Sequence, residues 1–97
     1  MYKSVGVARA KGGKVREAVA AVKALAEHLK SKHDFKVEVY LQLFGPAGTI
    51  YAIGEFQGLA SFEATNSKLM ADEAAFALVQ KGAELIDPST MALLQPV

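Results

Sequence analysis

Two alternating runs joined by a glycine–proline turn occupy the middle of the chain, and they restrict what can surround them. In residues 35–44, Phe35, Val37, Val39, Leu41 and Leu43 share one parity, while Lys36, Glu38, Tyr40, Gln42 and Phe44 share the other. A period of two sets the two groups on opposite faces of a strand. Gly45-Pro46-Ala47-Gly48 is turn chemistry, and the strand pattern resumes over Thr49–Phe56. The two runs predict a hairpin of antiparallel neighbours. A hairpin alone is marginal in water, so flanking segments must cover one of its faces.

Those segments repeat a single theme on either side. Residues 2–9 alternate Val5 and Val7 with Ser4, Gly6 and Ala8, and Lys11-Gly12-Gly13 closes the run. Residues 14–31 predict a helix, because Val15, Ala18, Val19, Val22, Leu25, Ala26 and Leu29 recur at spacings of three and four. After Gly58, Leu59–Met70 and Asp72–Lys81 read as two helical pieces, with Asp72 as the N-cap of the second. Asp87-Pro88-Ser89 stops that helix, and Met91–Gln95 reads as a last strand.

The order strand, helix, strand, strand, helix, strand is the ferredoxin-like pattern, an α+β sandwich. Right-handed crossovers place the helices on one face of a four-stranded antiparallel sheet. Residues 1–97 make one such domain, since the chain has 97 residues and no linker or repeat. Phe35, Val37, Val39, Leu41, Leu43, Val5 and Val7 are expected to face the helices. The opposite face is expected to carry Ser4, Gly6, Ala8, Tyr40, Gln42, Phe44, Tyr51 and Ile53, with contributions from Met91 and Leu93. Such a face is too apolar and aromatic to leave in water. Two sheets packed across a two-fold axis would bury it, so a homodimer is expected.

Composition removes several function classes. The chain has no Cys, which excludes thiolate metal sites, thiol nucleophiles and disulfides. It shows no long apolar run and no export signal, so a cytoplasmic protein without a membrane span is expected. Residues 1–36 hold nine basic and three acidic groups, a net of +6; residues 37–97 hold two and seven, a net of −5, and the sum is the overall +1. A solvated basic helix beside an acidic one accounts for the asymmetry. Nucleic-acid binding is not expected. In Thr49–Phe56 only Tyr51, Ala52 and Phe56 fit the RNA-recognition octapeptide, and Glu38 and Glu55 would repel phosphate.

Few residues are candidates for chemistry. Glu38 and Glu55 lie on paired strands and would make a general base if buried together; at the strand ends they are simply solvated charges. Tyr40 and Tyr51 offer a hydroxyl above an apolar ring, useful for orienting a ligand or for anchoring a dimer. His28 on the first helix and His33 in the following loop would need a carboxylate such as Asp34 to hold a metal. A helix C-terminus suffices to explain both, so no metal is expected. Gly12-Gly13-Lys14 lacks the spacing of a phosphate loop and reads as a strand-to-helix turn.

Residues 59–76, with Phe62-Glu63, Leu69-Met70 and Asp72, resemble the second helical segment of dimeric α+β barrel proteins, especially NIPSNAP-like members. The element order of the whole chain agrees. The resemblance implies a dimeric barrel. Its superfamily includes cofactor-independent monooxygenases, haem-degrading enzymes, isomerases and cyclases, whose working groups line a cavity between sheet and helices. The monooxygenase pattern of Asn, Trp and often Arg is not met, because the chain has no Trp and its single Asn is Asn66. No catalytic role is carried over, and no cofactor is expected. The expected role is handling a small apolar organic molecule. Tyr40, Gln42, Phe44, Tyr51, Ile53, Phe62, Asn66 and Met70 are the expected lining. An enzyme of this kind would do proton transfer or cofactor-free oxidation. The alternative is a non-catalytic binding or assembly module.

Overall fold

The computed structural model describes residues 1–97. Seven elements follow in order: β1 (Tyr2–Arg9), α1 (Val15–His33), β2 (Val37–Leu41), β3 (Thr49–Phe56), α2 (Leu59–Met70), α3 (Glu73–Ala83) and β4 (Thr90–Leu94). The sheet order is β2-β3-β1-β4, and each neighbouring pair is antiparallel. This is the ferredoxin-like arrangement, with its second helix broken in two. No helix is long and apolar enough to cross a membrane.

The break and the ends of the helices have local causes. Asp72 is extended at φ −92° and ψ 101°, and its side chain accepts the Ala75 N–H at 3.1 Å, which starts α3. Helix α1 runs two residues further than its apolar stripe indicates, so His33 is helical rather than in a loop. It stops at Asp34, whose left-handed backbone (φ 52°) lets its own N–H reach the Lys30 carbonyl at 3.1 Å and the following Phe35 N–H reach that of Leu29 at 3.2 Å. Strand β2 ends early. Gln42 still donates its backbone N–H to Thr49 at 2.9 Å, but Leu43 and Phe44 then leave the sheet and are 86% and 90% exposed. Leu43 therefore does not face the helices.

Strand β1 is turned over relative to expectation. Its register pairs Ser4 with Gly54, Gly6 with Ala52 and Ala8 with Ile50. Ile50 and Phe56 are buried beneath the helices, so Ser4, Gly6 and Ala8 share their face. Val5 and Val7 pair with Ile53 and Tyr51 and belong to the open face. Met91 and Leu93 pair with Gly6 and Ser4 and lie on the helix side as well. The reason is register. Pairing with β3 sets Ser4, Gly6 and Ala8 beside Gly54, Ala52 and Ile50, whose face the helices cover, and alternation alone cannot distinguish a small inner face from a small outer one.

The interior is built at one end from aromatic rings. Phe35 stacks on Phe56 at 4.9 Å, and Phe62 of α2 meets Phe56 edge-on at 5.1 Å. Phe35 lies directly over Gly54, where a Cβ would come within 2.5 Å of the ring. Phe62 is the main anchor of α2, which buries no residue fully.

Candidate functional site

Where the aromatic cluster ends, the space between sheet and helices is left partly unfilled. Gly6, Ala8 and Ala52 form the floor, and Ala18, Ala21, Leu25, Leu78 and Gly82 of α1 and α3 form the roof. The resulting cavity measures about 280 Å³, and 12 of its 16 lining residues are hydrophobic. It opens between α3 and the edge strand β4, where Val79 and Met91 are 50% and 71% exposed. Ser89 borders the mouth, and no side chain that titrates near neutrality lines the walls. The space exists because small residues stand opposite one another on two strands and two helices. Each of Gly6, Ala8, Ala18, Ala21 and Ala52 is visible in the sequence, but their opposition is not.

None of the expected lining residues borders this cavity. Tyr40, Tyr51 and Ile53 lie on the open sheet face with Val5 and Val7. The Tyr51 hydroxyl donates to Gln42 Oε1 at 2.7 Å, which fixes both side chains on that face. Phe44 stands in the exposed loop, Phe62 sits in the aromatic cluster, and Asn66 and Met70 are exposed on α2. Glu38 and Glu55 are also exposed on the open face, and Glu55 stands opposite Lys3 of β1. The Tyr40 hydroxyl donates to Glu38 Oε2 at 2.7 Å, and this carboxylate raises the phenol pKa above its ordinary value. These are the surroundings of solvated rim charges rather than of a buried base.

A third grouping joins residues that are distant in the chain. His28 and His33, near the end of α1, both point Nε2 at Asp72 Oδ2, at 2.8 and 2.7 Å. The other carboxylate oxygen accepts the Ala75 N–H at 3.1 Å and Lys32 Nζ at 3.3 Å. Asp72 is 3% exposed. Its carboxyl is held well below the usual carboxylate range, chiefly by the bond from His33 and then by that from His28, against the opposing effect of burial. The carboxylate that meets the two imidazoles is Asp72 rather than Asp34.

Neither a comparison with family sequence models nor one with curated proteins gives a match. Similarity is found among solved structures. An uncharacterised NIPSNAP domain protein from Burkholderia xenovorans superposes with a TM-score of 0.85 at 15% identity, covering 100% of this chain and 95% of that one. A NIPSNAP family protein of unknown function from Agrobacterium tumefaciens gives 0.83 at 24% identity, covering 99% and 87%. A structure described as an antibiotic biosynthesis monooxygenase gives 0.74 at 17% identity, covering 100% and 99%. The chain thus has the ferredoxin-like α+β fold seen in NIPSNAP family proteins and in proteins described as antibiotic biosynthesis monooxygenases.

Proposed function

We propose that this chain binds a small apolar organic molecule in the cavity between the sheet and helices α1 and α3. The supporting observation is the lining: 12 of 16 residues are hydrophobic, and Ser89 borders the mouth. Size narrows the guest. The cavity of about 280 Å³ exceeds the ~150 Å³ that accommodates benzene and falls just under the ~300–1,000 Å³ of drug-sized sites. A one- or two-ring compound with a single polar tip, hydrogen-bonded at Ser89, matches that volume. General acid–base catalysis needs an ionisable group beside the reacting atoms, and these walls supply none. The reading is therefore binding.

The working form in this reading is a homodimer packed through the open sheet face. Only 11 of 97 residues are buried in the isolated chain, and the open face gathers Val5, Val7, Tyr51 and Ile53 at its centre. Around that centre stand Lys3 and Arg9 against Glu38 and Glu55, two charges of each sign. A face with no net charge does not repel its own copy, and its two-fold pairing can bring unlike charges together.

Native mass spectrometry of the purified chain tests both statements. The expected spectrum is a dimer that takes up one naphthalene-sized aromatic per chain. Ala52→Leu, which fills the floor of the cavity, is expected to keep the dimer and lose the guest. A wild-type chain that takes up no such probe would remove the binding reading, and a strict monomer would remove the assembly.

A further inference from the structure

We propose that His28, His33 and Asp72 form a binding site for one Zn²⁺-like divalent ion, bridging the end of α1 to the start of α3. The site is separate from the apolar cavity and does not rest on the reading given for it.

The geometry carries the inference. One ligand atom from each residue lies within 4.8 Å of the others, although Asp72 is 44 and 39 positions from the two histidines. Two imidazoles and a carboxylate are the donor set that Zn²⁺ takes with a fourth position left open. In a tetrahedral site with Zn–N and Zn–O near 2.0–2.2 Å, neighbouring ligand atoms stand roughly 3.3 Å apart. The two N···O separations here are 2.8 and 2.7 Å. Lengthening the two N···O contacts by about half an ångström, while the imidazole nitrogens draw together from a separation of up to 4.8 Å, would admit the ion. Both rings lie on the last turn and a half of α1, and the His28 side chain is 22% exposed, so it has room to make that shift.

The carboxylate is already aimed. The Ala75 N–H holds Oδ1 as part of the α3 cap, and Oδ2 is turned toward the imidazoles. The helix cap thus orients a ligand, as hydrogen-bonding partners do around other metal sites. The open side faces a shallow depression bordered by Lys32, Asp34, Lys68 and Ala71. Lys32 Nζ also meets the carboxylate, at 3.3 Å, and its side chain is 54% exposed, free to move into water when an ion arrives. The fourth position is then open to water or to a small anion held by Lys32 and Lys68.

The test uses chain without a polyhistidine tag, stripped with chelator and titrated with Zn²⁺ alone by calorimetry. Co²⁺ serves as a spectroscopic probe of coordination. The expected result is one ion per chain and a four-coordinate Co²⁺ absorption band. His28→Gln and His33→Gln are each expected to weaken binding by more than ~100-fold, beyond the ~10–100-fold lost with an outer partner. Lys32→Met is expected to tighten it, which a merely structural cluster would not predict. The absence of saturable Zn²⁺ binding would overturn the proposal, as would unchanged affinity in both histidine variants. If a variant unfolds, proton NMR of wild-type chain with Co²⁺ decides. Large shifts of both His28 and His33 ring protons support the site, and their absence refutes it.

Discussion

Asp72 does two jobs with one carboxylate: it starts α3 and it ties α3 to the end of α1. Its folded pKa lies below the unfolded value, so the native state holds fewer protons on this group whenever pH is low. The stabilisation is complete above the unfolded carboxylate value of about 3.9 and is lost as pH falls below it. Urea midpoints of the metal-free protein between pH 7 and pH 2 are expected to drop in that acid window. The drop should be smaller in Asp72→Asn, which can still cap the helix but has no charge to lose. Gly54 shows a different kind of necessity. It lies under the Phe35 ring, and Gly54→Ala is expected to destabilise the fold by about 1–3 kcal/mol, the usual cost of overpacking. Chemical denaturation would measure it, and an unchanged midpoint would mean that Phe35 moves aside freely.

Elements differ in how firmly the fold holds them. β1 and β3 are central, pair along eight positions and carry buried Ser4, Ile50 and Phe56. Helix α2 has no buried residue and rests chiefly on Phe62 against Phe56. Stability against local opening follows buried contact, so α2 amides should exchange with solvent well before those of β1 and β3. Hydrogen-exchange mass spectrometry reads this directly, and equal protection would show that something beyond the single chain covers α2. The short strand β2 has a related cause. Gly45 and Gly48 take φ of 103° and 78°, and the wide loop they shape carries Leu43 and Phe44 out of the sheet.

For the whole molecule, the sheet is the dividing plane. One side holds the aromatic cluster and the apolar cavity, and the other presents Val5, Val7, Tyr51 and Ile53. The turned-over β1 makes that outer side more apolar than alternation in the sequence suggests, because two valines replace Ser4, Gly6 and Ala8 there. Val7→Glu adds a charge at its centre. It is expected to shift the dimer proposed above to monomer at low micromolar concentration, with the far-ultraviolet dichroism unchanged. Light scattering after gel filtration checks the mass. A variant that stays dimeric would place the contact elsewhere.

The element order, the central hairpin, the break before Asp72 and the amphipathic stripe of α1 are all legible from residues 2–94, because local periodicity and turn chemistry dictate them. The open-face positions of Tyr40, Gln42, Tyr51 and Ile53 are legible for the same reason. Three things needed the folded chain. The orientation of β1 is set by its pairing register with β3, a long-range contact that strand alternation does not encode. The cavity depends on small residues from β1, α1 and β3 meeting across space, so none of the residues chosen for aromaticity lines it. The histidine pair looks incomplete in the sequence, with Asp34 the nearest carboxylate. Its partner Asp72 announces itself only as a helix cap, and packing of α3 against α1 is what brings the charges together.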